Sequence, residues 1–136
     1  MKRLAMTFCA AALLFASCGK KQDVSCLAGG GGNLMVRVVP NFNGNALIST
    51  ATSAVEVYVA FGVVDFPGKN PNNYNKSVSG KNNNPYVKVH NLKCGMYYFF
   101  ATYTDETSGE TYAGGAPMTT EQQNGEVELM LVLTKE

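Results

Sequence analysis

The residues best equipped for chemistry in this 136-residue chain are few: one histidine, four cysteines and ten carboxylates, with no tryptophan. A zinc site needs a cluster of Cys and His ligands. Cys26, His90 and Cys94 are the only candidates, and a thiol pair in an oxidising compartment more often closes into a disulfide. Calcium needs grouped oxygen ligands. Asp105, Glu106 and Glu110 in TDETSGET form the best group, but they match no calcium loop and read as a charged hairpin turn. A nucleophile–base pair would have to use His90, which lies mid-run beside Lys88 and reads as a solvent-facing strand residue. No metal set and no cofactor is assigned. No convergent acid, base and nucleophile is visible, so the chain is read as non-catalytic, with a hydrolase as the remote alternative.

The remaining chemistry is that of a single thiol near the start. Met1-Lys2-Arg3 is a short basic opening, and Leu4 to Ala16 is almost wholly apolar or small. That run is far shorter than the roughly 20 residues needed to cross a bilayer as a helix. A basic start, a short apolar stretch and small residues before a break describe a secretory signal peptide. The break itself, Phe15-Ala16-Ser17-Cys18-Gly19, resembles the lipobox of bacterial lipoproteins, with Phe15 standing where that family prefers Leu. The resemblance implies that Cys18 receives a diacylglyceryl group and that the chain is cut just before it. Residues 1–17 are then signal peptide, and residues 18–33 are the lipidated cysteine and a flexible tether carrying the glycine run Gly29 to Gly32.

Several consequences follow from that division. Each buried lipid CH₂ contributes about 0.8 kcal/mol, and two or more acyl chains hold a protein on a membrane. The membrane, through the lipid on Cys18, is therefore an expected partner. Loss of Lys2 and Arg3 from the 11 basic residues leaves 9 against 10 acidic ones, a balance that gives no reason to expect nucleic acid. Gly19 is not the Asp that retains many lipoproteins in the inner membrane, so the outer membrane is expected. Lys20-Lys21-Gln22-Asp23 resembles charged export tags, and both the periplasmic face and the cell surface stay open. Cys26 and Cys94 either pair or both stay free; spacing alone does not decide.

The body of the chain, residues 34–136, reads as one all-β domain. Leu34, Val36 and Val38 share one face of a first run, and Val55, Val57, Val59, Phe61 and Val63 share one face of a second. Val87 and Val89 alternate with Lys88 and His90. Met96 to Thr104 has the aromatic density of a buried strand. Val127, Leu129, Leu131 and Leu133 face one way, with Glu126 and Glu128 opposite. Period-two patterning between turn residues argues for a sandwich or barrel. Ala46 to Ala54 reads as loop or short strand.

Between Pro67 and Pro85 the chain turns polar. Asparagine tolerates left-handed backbone and bonds its own main chain, so this stretch reads as an exposed excursion with one short edge strand near Lys76 to Ser79. It is either a recognition loop or a solvated crossover. As a loop, its contact residues would be Asn70, Asn72, Asn73, Tyr74, Asn82, Asn83, Asn84 and Tyr86. It offers little apolar surface, so its replacement by a Gly-Ser linker is expected to leave melting nearly unchanged.

Leu92, Gly95, Tyr97, Phe99 and Ala101 in NLKCGMYYFFATYTDE resemble the hairpin of transthyretin-like sandwiches, shared by prealbumin-like lipoproteins and carboxypeptidase regulatory-type domains. The resemblance covers residues 34–134. It implies a single antiparallel transthyretin-like or Ig-like sandwich, a fold that hosts many functions. The histidines and arginines of the related hydroxyisourate hydrolases and the second iron-binding His of the intradiol dioxygenases are missing. The resemblance therefore implies a lipid-anchored binding or scaffolding module that docks a protein of an envelope assembly through sandwich-end loops. The transthyretin-fold lipoprotein of type VI secretion complexes is the analogy. The alternative is a surface module that binds glycan or protein.

The anchor is tested directly. Wild-type protein is expected in the detergent phase of a phase-partition extract, and Cys18→Ser is expected to accumulate as unlipidated precursor. Partition of the wild type into the aqueous phase would refute the anchor.

Overall fold

The computed structural model describes residues 26–136, so residues 1–17, read from sequence as a signal peptide, Cys18 and the charged stretch after it lie outside the described residues. The elements in order are β1 (Gly30–Phe42), β2 (Asn45–Ala46), β3 (Ser53–Phe61), β4 (Lys76–Ser79), β5 (Val87–Leu92), β6 (Gly95–Asp105), β7 (Glu110–Thr120), β8 (Asn124–Val132) and β9 (Thr134–Lys135). A single 3-10 turn, Pro71–Asn73, sits between β3 and β4. Among the described residues no helix is long and apolar enough to cross a membrane.

Two sheets pack face to face. In the first, β1 is central, with β5 and the short β2 on one side and β8 on the other. In the second the order is β4-β3-β6-β7-β9. The alternation read from sequence sets their inner faces: Leu34, Val36, Val38, Val89 and Leu131 of one sheet meet Val57, Val59, Tyr97, Phe99 and Ala101 of the other, all fully buried. Val127 and Leu129 pack against this core half-buried. Val63 does not belong to it: β3 stops at Phe61, and Val63 is exposed.

One pairing departs from the antiparallel sandwich. β8 runs parallel to β1, from Asn33 opposite Asn124 to Asn41 opposite Val132. The reason is geometric. β7 travels toward Gly95, its Thr120 standing opposite that residue. A short turn then starts β8 at the end where β1 also starts. Periodicity reports which face a residue occupies but carries no strand direction.

The glycine run is structural as well as flexible in composition. Gly30 and Leu34 both stand opposite Leu92, so the chain between them bulges out of the ladder. Gly31 takes φ +87°, and a Cβ on Gly32 would collide with the Leu92 carbonyl. Gly30 to Gly32, read from composition as tether, are thus the first residues of β1. Cys26 and Cys94 form a disulfide with Cα atoms 4.8 Å apart. Beside it Lys93 N donates to Gly29 O at 2.9 Å, and Tyr97 Oη donates to the Lys93 carbonyl.

β7 is the long strand that alternation hides. Its Gly114, Gly115 and Pro117 read as breakers in sequence. Gly114 lets the backbone of Val132 and Leu133 pass as the chain crosses from one sheet to the other. Gly115 makes room for the Tyr98 ring. Pro117 lies beyond the two residues that pair with β9, where β7 is the sheet edge and a missing donor is tolerated.

Phe99 is the best probe of this core. Phe99→Ala is expected to cost about 3–5 kcal/mol in denaturant unfolding, whereas a change under about 1 kcal/mol would place the ring on the surface. The Cys26–Cys94 bridge closes a loop across a separation of 68 residues, and its reduction is expected to cost about 2–5 kcal/mol by the same measurement.

Candidate functional site

The polar excursion does not behave as one loop. Its first half folds back over the outer face of the second sheet. Asn70 Oδ1 accepts from Asn72 N at 3.0 Å and Asn70 O from Asn73 N, which closes the 3-10 turn. Asn73 Nδ2 donates to Pro67 O at 2.7 Å. Tyr74 Oη donates to Gly68 O at 2.8 Å, and its ring stacks on Phe100 at 5.9 Å between centroids. Asn70, Asn73 and Tyr74 are therefore occupied in shaping the excursion, and Asn72 gives its backbone to the same turn.

This half contributes real apolar burial, contrary to the reading of the stretch as an expendable crossover. Ala60, Tyr98, Phe100 and Ala113 form a second buried cluster on the outer face, with Tyr58 and Tyr74 packed against it. Phe66 adds ring contacts to Tyr98 and Phe100 at 5.8 and 5.3 Å. The signal for this lies in MYYFFA: four consecutive aromatics give a strand two apolar faces, and the second needs its own cover. A depression of about 300 Å³ opens beside the cluster over Gly114 and Gly115, rimmed by Lys69 and Glu136, which pair at 2.6 Å.

The second half of the excursion leads elsewhere. β4 is the edge strand of its sheet, and β5 is the neighbouring edge of the other. Between them lies a cleft of about 200 Å³ lined by Val78, Ser79, Lys81, Asn84, Tyr86, Val87, Lys88 and His90. Asn83, with φ 63°, donates its N–H to Ser49 O at 2.7 Å and so fixes the turn that presents Asn84. Asn82 faces a shallow polar hollow beside Ser49 and Glu106 instead. Of the eight excursion residues singled out in sequence, the cleft thus brings together Asn84 and Tyr86. Lys81, Lys88 and His90 join them.

The cleft is basic because of how charges pair across the first sheet. Arg37 Nη2 bonds Glu128 Oε2 at 3.1 Å, and its Nε lies 3.2 Å from Glu126 Oε1, an ion pair without hydrogen-bond alignment. Arg37 thereby takes up both carboxylates of β8. Neither Lys81 nor Lys88 forms an ion pair among the described residues. Lys76 Nζ donates to His90 O at 2.8 Å and ties β4 to β5. Glu56 on β3, opposite Ser79, accepts from Ser79 Oγ at 2.6 Å. Tyr86 presents its ring to Arg37 and Lys88, whose cationic centres lie 4.9 and 5.4 Å from the ring centre, a placement favoured by the ring quadrupole.

Chemically the cleft can accept an anionic group and pack an apolar stem against Tyr86 and Val78. Its volume is below the usual range of about 300–1,000 Å³ for small-molecule pockets, so it suits one side chain or one sugar. His90 is exposed on β5. Asp105 and Glu110 are engaged in the β6–β7 turn: Asp105 Oδ1 accepts from Thr107 N, and Glu110 pairs with Lys135 and Tyr112. No group of three His, Cys, Asp or Glu side chains is placed to share a metal ion among the described residues. Comparison with known proteins gives no match to a family model, a curated protein or a solved structure.

The outer-face cluster makes two predictions. Tyr74→Ala is expected to cost about 1–2 kcal/mol in urea unfolding, and replacing residues 68–84 by a linker is expected to lower the melting temperature, since it removes both Tyr74 and β4. Burial first, and the Tyr98 phenol second, push Tyr74 from 10.0 up to about 12. An unfolded chain loses that proton near the ordinary value while the folded one keeps it, so stability is flat below about pH 10 and falls between there and about 12. Burial also raises Tyr97 and Tyr98. The urea midpoint is expected to follow that curve, and Tyr74→Phe to make it shallower.

Proposed function

We propose that this protein is a lipid-anchored, non-catalytic module of the cell envelope that holds a protein partner by an acidic side chain in the cleft between β4 and β5. The observation that carries this reading is the pair of lysines, Lys81 and Lys88, lining one cavity without an ion-pair partner among the described residues. A carboxylate entering the cleft would gain charge-assisted hydrogen bonds from them, and Asn84 adds a neutral donor. Tyr86 supplies the rigid aromatic wall that recognition sites favour. The cleft opens on the flank of the sandwich, along two edge strands, where an extended partner segment can lie beside them.

The anchor and its outer-membrane address rest on Ala16-Ser17-Cys18-Gly19 behind a short apolar run. The transthyretin-like assignment rests on Leu92, Gly95, Tyr97, Phe99 and Ala101 and on the two-sheet frame. A glycan is the second reading, favoured by Phe66: its ring is 49% exposed beside the depression over Gly114 and Gly115, the kind of surface on which a sugar ring stacks.

A photo-crosslinking residue at Tyr86 in intact cells tests the first reading. A single discrete adduct is expected, and it should vanish in a Lys81→Glu, Lys88→Glu variant whose melting temperature is unchanged. Crosslinks centred on Asp105 to Thr111 instead, with none at Tyr86, would refute the cleft as the partner site.

A further inference from the structure

Four of the seven large apolar side chains left in water among the described residues gather at one end. Leu27 is 72% exposed, Met96 46%, Val64 42% and Val63 40%. All four belong to segments that meet at the disulfide-closed end of the sandwich. Leu27 follows Cys26, and the next residue, Ala28, lies so close to Gly95 that a Cβ there would collide with it. Gly62 N donates to Met96 O at 2.8 Å, so Val63 and Val64 leave the second sheet beside Met96. The opposite end is built from the turn Thr50 to Thr52 and the hairpin Asp105 to Gly109, which are polar and acidic. Of the other exposed apolar side chains, Phe66 lies on the outer face of the second sheet, and Met130 and Val132 are single side chains on β8 opposite Val39 and Asn41, toward the other end.

The apolar end is also the end that the chain reaches from Cys18. Cys26 lies eight positions after Cys18, with seven residues between them. At the full extension of the backbone that stretch spans roughly 30 Å, and the disulfide passes that restraint directly to β6 at Cys94. A lipid on Cys18 would keep this end within about that distance of the bilayer.

We propose that the disulfide-closed end rests on the phospholipid surface, with Leu27, Val63, Val64 and Met96 reaching the boundary between headgroups and acyl chains. The proposal rests on the reading of Cys18 as lipidated. A patch of four side chains would bind membrane weakly by itself. The tether makes contact intramolecular, and a high effective concentration turns a weak contact into a lasting one. Asp65 and Glu121 lie at the same end and Lys93 is exposed beside the disulfide. These charges keep the contact shallow, at the depth where such groups stay hydrated while aliphatic tips enter. A lipid surface explains why these four gather at the end from which the tether leaves, while the acidic hairpin is turned to water.

The chain contains no tryptophan, so a single introduced one reports alone. Full-length lipidated protein carrying Val64→Trp, or Thr107→Trp at the opposite end, is reconstituted into vesicles of phosphatidylethanolamine and phosphatidylglycerol with brominated acyl chains. Emission from position 64 is expected to be quenched several-fold more than emission from position 107. Adding Leu27→Ser and Met96→Ser is expected to remove the difference while the protein still floats with the vesicles. Equal, weak quenching at both positions in protein that floats with the vesicles would overturn the docking and leave the anchor standing. Shielding of position 64 from both brominated lipid and aqueous acrylamide would place a second copy on this end and also overturn it. Protein that carries no lipid and does not float would fail the anchor, and the docking with it.

Discussion

A strand that is apolar on both faces must be covered on both sides, and β6 imposes that demand on the whole molecule. Tyr97, Phe99 and Ala101 point into the sandwich, and Tyr98 and Phe100 point out of it. The inner set is met by the first sheet. Among the described residues no third layer of sheet or helix meets the outer set, and the chain after β3 is drawn across it as a strap held by Phe66 and Tyr74. An unpaired polar group under such a strap would be costly. The asparagines there spend their donors and acceptors on the strap's own backbone. The second cluster therefore decides which part of the excursion is structural and which part, beyond β4, is left to line a cleft.

The Cys26–Cys94 bridge organises one end in a similar way. It joins the start of β1 to the turn before β6, and the Tyr97 hydroxyl fills the space between Gly29 and Lys93. Few residues guard this end: short turns, a bulge that needs glycine, and one covalent link. The opposite end is closed by hairpins whose acidic and hydroxyl side chains bond their own turns. A sandwich with such unlike ends has a polarity that its small net charge conceals.

The inward faces of β1, β3, β5, β6 and β8 were legible because burial on one side of a sheet writes itself as alternation. The edge strand at Lys76 to Ser79 was legible from its flanking turn residues. Three things were not. β7 carries glycines and a proline for reasons that exist only between strands: room for Leu133, room for Tyr98, a free edge at Pro117. The parallel direction of β8 leaves no mark on periodicity. The covering role of Tyr74 depends on Phe100, 26 positions away in a chain where the only hint was an aromatic run too dense for a one-sided strand. The cleft was half legible. Asn84 and Tyr86 stood out as loop residues, whereas Lys81, Lys88 and His90 look like ordinary solvated charges until Arg37 is seen to absorb Glu126 and Glu128.

The parallel seam between β1 and β8 also sets an order of events. Any chain that emerges N-terminus first presents β1 long before β8, because the two are about as far apart in sequence as two strands of this domain can be. The second sheet's central hairpins, β6 with β7, can close locally as they appear. The first sheet stays one strand short until residue 132 is out, with the 33–41 edge of β1 lacking its partner. Long-range pairings of this kind are slow and leave sticky edges exposed. The cysteine bridge, available as soon as residue 94 emerges, would dock β1 on β5 in the interim. The last strand then needs only to slide into a waiting slot, and the final step of maturation becomes an insertion.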